Sequence, residues 1–121
     1  MIQVKNPSVL RELLVEKYHS ILIELILWLL QRYDNIVITS GYRDGDKGVH
    51  GTSPCRGVDI RSWNLSRVDS SAVSASELCK DVNLHWQYDP SRPEKFCAIL
   101  HDVGSGNHIH LQCCINSIST G

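Results

Sequence analysis

Two short segments, GVDIRS (residues 57–62) and HIHLQ (residues 108–112), alternate apolar and polar side chains with a period of two. That period constrains the fold more than any other feature of the chain, because residues two apart on a strand share a face. Val58 and Ile60 point one way, while Asp59 and Arg61 point the other. Ile109 and Leu111 go into a core, while His108 and His110 project together. With the two strands as neighbours, Asp59 and His110 meet on the exposed face of a sheet. His50 arrives from the loop that precedes Asp59.

The rest of the chain reads as a mixed α+β domain. Leu10, Leu13, Leu14, Tyr18, Ile21, Leu22, Leu25 and Leu29 recur at helical spacing. They predict one long helix over Val9–Tyr33, or two in succession, started by Asn6, Pro7 and Ser8. The second half is apolar on most sides and is expected to lie deep against the sheet. Asn35–Ser40 is β-branched and predicts a strand, followed by the Gly- and Asp-rich loop GYRDGDKG. Ser70–Val82 suits a short helix, with Ser74 and Glu77 as a capping box. Leu84–Tyr88 and Lys95–Val103 are strand candidates. Gly104–Asn107 turns the chain into a hairpin partner over His108–Cys114. The polar tail from about residue 116 is expected to be loose.

Length and charge narrow the function classes. A chain of 121 residues is one domain, residues 1–121, and can bury a core without disulfides. The net charge of −1, with Lys and Arg scattered, gives no footprint for nucleic acid. Ile21–Leu30 is too short to span a bilayer and Glu24 interrupts it. Met1–Ser8 lacks an apolar signal region, so the expectation is synthesis in the cytoplasm without a signal peptide. The five cysteines, with no CxxC pair, read as free thiols rather than a disulfide scaffold or a Cys-rich zinc site. A monomer is favoured.

His50, Asp59 and His110 together offer two imidazoles and a carboxylate, a ligand set suited to zinc, with His108 beside it. Three protein ligands leave a coordination position open for water, which is the arrangement of a hydrolytic rather than a structural zinc. The bland alternative is a set of surface polar residues; a single strand histidine usually is one. Cys55 lies between two of these residues, but a thiolate ligand would make the site more like a closed structural one. An imidazole titrates near working pH, so His108 is the candidate acid/base group. His101 and His85 are further candidates, each otherwise an ordinary surface histidine. Arg43 offers a planar, permanently charged fork for an oxyanion or a substrate carboxylate. Asp44 and Asp46 either orient Arg43 or His50, or belong to a solvated loop. Trp28, Trp63 and Trp86 read as core or cleft-lining residues, Trp63 following the Asp59 strand closely enough to line a groove.

The series Ser40-Gly41-Tyr42-Arg43, then His50 to Asp59, then His108-Ile109-His110 resembles the zinc D-alanyl-D-alanine metallopeptidases and phage endolysin peptidases. These belong to a wider group with lysostaphin-type enzymes and the hedgehog signalling domain. The resemblance covers most of Ile36–Gln112. It implies an antiparallel sheet backed by helices, zinc held by His50, Asp59 and His110, and cleavage of peptide bonds next to D-alanine or other cell-wall residues. It also implies an arginine at the position of Arg43. Eight residues separate His50 from Asp59, more than is usual in the family. Carboxypeptidase and dipeptidase members carry Glu or Asp three residues before the last ligand, where this chain has Asn107. The HxH form is similar to members that cleave cross-links inside murein. The expected activity is therefore that of a zinc-dependent murein endopeptidase acting on peptidoglycan peptides, released from the cytoplasm to the periplasm or cell wall. The alternatives are a D-alanyl-D-alanine carboxypeptidase or dipeptidase, and a non-catalytic zinc-binding interaction domain.

Overall fold

A computed structural model of the chain describes residues 2–102 and 107–120 and divides the N-terminal helical stretch into two helices. Helix α1, Pro7–Leu14, starts with proline at its first turn, and the Asn6 side chain accepts from the Val9 N–H at 3.1 Å. Residues 17–19 then leave the helix to pair with Cys55. The Cys55 N–H donates to the Lys17 carbonyl and the His19 N–H donates to the Cys55 carbonyl, both at 2.8 Å. Helix α2, Ser20–Arg32, is capped by His19, whose Nδ1 accepts from the Ile21 N–H. Leu22, Leu25 and Leu29 of α2 are fully buried, each contributing about 1.5–3 kcal/mol by its burial. The expectation of a helix sunk on most sides fails on its outer face, where Ile23 and Leu27 are 45% and 54% exposed.

The main sheet contains β1 (Ile2–Val4), β3 (Ile36–Ser40), β4 (Gly57–Arg61), β8 (Ala98–Asp102) and β9 (Asn107–Gln112), in the order β1-β3-β4-β9-β8. It is not wholly antiparallel as expected: β1 runs parallel to β3. The two helices between these strands supply the long crossover that a parallel pair needs. Strands β4 and β9 pair in the register Asp59↔His110 and Arg61↔His108, and β8 adds His101↔His108. Between β3 and β4 the register slips by one residue at Thr39, from Ile38↔Ile60 to Ser40↔Asp59. Such bulges bend a strand and re-aim its side chains. Ile36, Ile38, Val58, Ile60, Ile109 and Leu111 form the core with the leucines of α2. The opposite face carries Asp59, His108 and His110.

Two smaller sheets are present among the described residues. Strands β2 (Tyr33–Asp34), β5 (Leu65–Arg67) and β6 (Ala72–Val73) form one of them. Helix α3, Ala75–His85, begins later than expected because Ala72–Val73 is extended, and its Ser74–Glu77 capping box is formed in both directions. It also runs through Leu84, so only β7, Trp86–Gln87, remains of the strand expected at Leu84–Tyr88. The tail is not loose. Strand β10, Ile118–Ser119, pairs with β7, and the buried Ser117 hydroxyl donates to the Tyr88 carbonyl at 2.6 Å. The expected strand over Lys95–Val103 begins only at Ala98, and β9 ends at Gln112. Val103 and residues 104–106 of the expected turn lie outside the described residues, and Asn107 opens β9.

Among the described residues, no helix is long and apolar enough to cross a membrane. All five cysteines are buried free thiols.

Candidate metal centre

His50, Asp59 and His110 converge on one point. His50 Nε2 lies 3.1 Å from Asp59 Oδ1 and 3.3 Å from His110 Nδ1, and His110 Nδ1 lies 2.9 Å from Asp59 Oδ1. Asp59 and His110 face each other because they are register partners on β4 and β9. His50 comes from a single 3-10 turn, Val49–Gly51, folded over the end of β4. That turn buries the group: His50 and Asp59 are 4% and 6% exposed, so the expectation of an exposed face is corrected.

The segment Ser40–Arg43 holds His50 from two sides. His50 Nδ1–H donates to the Gly41 carbonyl at 2.8 Å, and the Arg43 backbone N–H donates to the His50 carbonyl at 2.7 Å. A Cβ at position 41 would lie 2.5 Å from the Tyr18 hydroxyl, so any larger residue there would have to displace the hydroxyl that bonds the Glu12 carbonyl and the Tyr42 N–H. Gly57 has the same role on β4: a Cβ would strike Val49 and come within 3.3 Å of His110 Cε1.

Outer hydrogen bonds fix which ring nitrogen faces inward. The Gly41 carbonyl only accepts, so the His50 proton is on Nδ1 and Nε2 presents a lone pair. Gln112 donates its amide N–H to the Phe96 carbonyl at 2.8 Å, which turns its Oε1 to His110 Nε2 at 3.1 Å. His110 therefore carries its proton on Nε2 and presents Nδ1. Two nitrogen lone pairs and a carboxylate oxygen then face one another at 2.9–3.3 Å with no proton among them. Three acceptors at this distance repel unless a cation lies between them. A proton satisfies one pair, whereas a metal ion satisfies all three. Tetrahedral zinc, with bonds of about 2.0–2.2 Å, places its ligand atoms about 3.3–3.6 Å apart, close to the spacing seen here. The donor set thus fits a divalent metal, and these three residues form a buried group that can hold one.

Electrostatics agree. Burial pushes the Asp59 carboxyl up, but the imidazoles of His110 and His50 beside it outweigh that and hold it below the ordinary carboxylate range. The carboxylate is ionised at neutral pH and ready to ligate.

His108 stands beside the group, its Nε2 3.7 Å from Asp59 Oδ2. His101 stacks on it with ring centroids 5.6 Å apart and planes 21° from parallel. Burial lowers the His108 pKa, partly offset by Asp59 and reinforced by the neighbouring histidines. Its ring is neutral at pH 7 and able to accept a proton.

Two clefts flank the centre and share Arg43, Asp59 and His108 on their walls. One, about 710 Å³, runs across β1, β3 and β4; the other, about 580 Å³, extends past His110 toward His101 and Gln112. Arg43 is about half exposed, and its Nε lies 3.4 Å from Asp46 Oδ2, so Asp46 orients Arg43. Asp44 instead accepts from the Tyr42 hydroxyl at 3.3 Å. Trp63 is 65% exposed and walls the larger cleft, whereas Trp86 is buried and packs edge-on against Trp28. Cys55 lies outside the metal group, its buried thiol facing the Gly57 carbonyl at 3.3 Å. His85 lies at the end of α3, where Nδ1 meets Asp81 and the ring packs on Trp28, and it lines neither cleft. Sequence reasoning missed Gln112. Its signal was present, since it lies two residues after His110 and shares that face.

No protein-family model, curated protein or solved structure matches this chain.

Proposed function

We propose that the chain is a zinc-dependent peptidase that cleaves peptidoglycan stem or cross-link peptides, an endolysin-like murein endopeptidase. The observation that carries this reading is the convergence of two outwardly braced imidazoles and a carboxylate on one point, with Arg43 and His108 facing the same groove. The resemblance of the Ser40–Arg43, His50–Asp59 and His108–His110 series supplies the substrate class.

His50, Asp59 and His110 would hold the zinc. When bound, zinc supplies Lewis-acid chemistry, polarising a carbonyl and making water acidic enough to react near neutral pH. The chain's own residues do the rest. Arg43 donates to the oxygen of the scissile carbonyl as negative charge develops there. Asn107 has no proton-accepting group. Asp59 is the only carboxylate among the described residues lining the two clefts. The proton of the attacking water therefore goes to His108, which passes it to the amine leaving group as the C–N bond breaks. His101, stacked against His108, keeps that ring in place. Clefts on both sides of the centre suit a polymer that runs past it better than a free dipeptide, which disfavours carboxypeptidase or dipeptidase action.

A second reading, a non-catalytic zinc-binding interaction domain, is supported by Asn107, where an acid would be expected. Incubation with purified peptidoglycan separates the two. The peptidase releases new amines, stops with a chelator and resumes with zinc. His108→Ala keeps the metal and loses about 10²–10⁴-fold in rate. Bound zinc without fragment release leaves the interaction domain as the function.

A further inference from the structure

The larger cleft is strongly biased in charge. Among the described residues Lys5, Arg43 and Arg61 line it, against the single carboxylate of Asp59. Arg43 is offset by Asp46, but neither Lys5 nor Arg61 has an ion pair among the described residues. The whole chain carries −1, so this positive charge is local to the groove.

Arg61 is held in position. Its Nε donates to the Trp63 carbonyl at 3.0 Å and its Nη2 to the Asn35 carbonyl at 3.1 Å. The guanidinium lies over the Trp63 ring, 4.4 Å from the centroid. Asn35 and Asn64, which flank this arrangement, both adopt left-handed backbone, φ 63° and 55°. Among the described residues two of the five guanidinium N–H donors are used; the other three, on Nη1 and Nη2, make a fork that matches a carboxylate. Arg61 lies two residues along β4 from Asp59 and on the same face, and its guanidinium reaches on past the end of the strand to Trp63 and Asn35, so a carboxylate held there lies a few residues of extended peptide from the metal group.

We propose that Arg61, with Lys5 and the exposed face of Trp63, forms a carboxylate-binding subsite that selects peptides bearing a free acid a few residues from the cleaved bond. It rests on the peptidase reading for the position of that bond, but not for binding itself. Arg61 and Lys5 are specificity-determining residues in this assignment, and neither touches the reacting atoms.

The probes are two stem tetrapeptides that differ only at the α-carboxyl group of D-glutamate, free in one and amidated in the other. Binding is measured calorimetrically on the zinc-supplemented full-length His108→Ala chain, and hydrolysis on the unaltered chain. The free acid binds about ten- to a hundredfold tighter than the amide. Arg61→Gln brings the two affinities close to equal, Arg61→Lys restores part of the preference, and Lys5→Gln reduces it. Circular dichroism confirms that each variant is folded. Equal affinities, no binding of either peptide, or a preference that survives Arg61→Gln and Lys5→Gln overturns the subsite. Selective binding of the acid with no hydrolysis by the unaltered chain leaves the subsite standing and overturns the peptidase. Hydrolysis without discrimination does the reverse.

Discussion

Gln112 sets the ring of His110: its amide oxygen accepts from His110 Nε2 at 3.1 Å while its amide nitrogen is tied to the Phe96 carbonyl. The lone pair on His110 Nδ1 is thereby aimed at Asp59 and His50. Removing the brace frees the ring to rotate and to exchange tautomers. Gln112→Ala is expected to bind zinc about 10–100-fold more weakly than the unaltered chain. Competition with a chromophoric chelator measures the difference.

Gly57 lets the Val49–Gly51 turn and the His110 ring approach β4 together. Gly57→Ala forces a methyl group against Val49, which is backed by the turn carrying His50. The expected cost is about 1–3 kcal/mol of stability, and zinc affinity falls with it because His50 is displaced. Urea unfolding and chelator competition on the same variant check both outcomes.

The alkaline limit of stability follows from buried thiols and phenols. Burial pushes Cys79 up to about 11, and Cys97 and Cys113 up to about 12, from an ordinary 9.0. Burial likewise pushes Tyr18 and Tyr33 up to about 12 from 10.0. The folded chain therefore keeps protons that the unfolded chain releases above pH 9. Stability from these groups is fully present below pH 9 and is lost progressively as pH rises toward 12. Urea midpoints from pH 8 to pH 11 are expected to fall steadily. Ellman's reagent at pH 8 should label the native thiols slowly and all five rapidly in denaturant.

The centre was legible because strand period is a strong signal. Alternation in GVDIRS and HIHLQ aimed Asp59 and His110 at one face, and their register pairing places them opposite each other. The capping box at Ser74 was legible for a similar reason, being a local pattern with a fixed spacing. Features made by distant partners were not. Strand β1 is three residues long and exists through its pairing with β3. The break between the helices depends on residues 17–19 bonding to Cys55, and His19 is not among the usual capping residues. The tail is ordered by Ser117 and by pairing of β10 with β7, neither of which its polar composition reveals. Burial of Asp59 depends on a turn folding over it, and the bulge at Thr39 leaves no mark in composition.

Calorimetric titration of zinc into the metal-free chain tests most directly whether His50, Asp59 and His110 hold one cation. The expected result is a single equivalent bound, with binding abolished in Asp59→Ala and in His110→Ala while circular dichroism shows both variants folded. Absence of binding, or binding that persists unchanged in both folded variants, contradicts the metal centre.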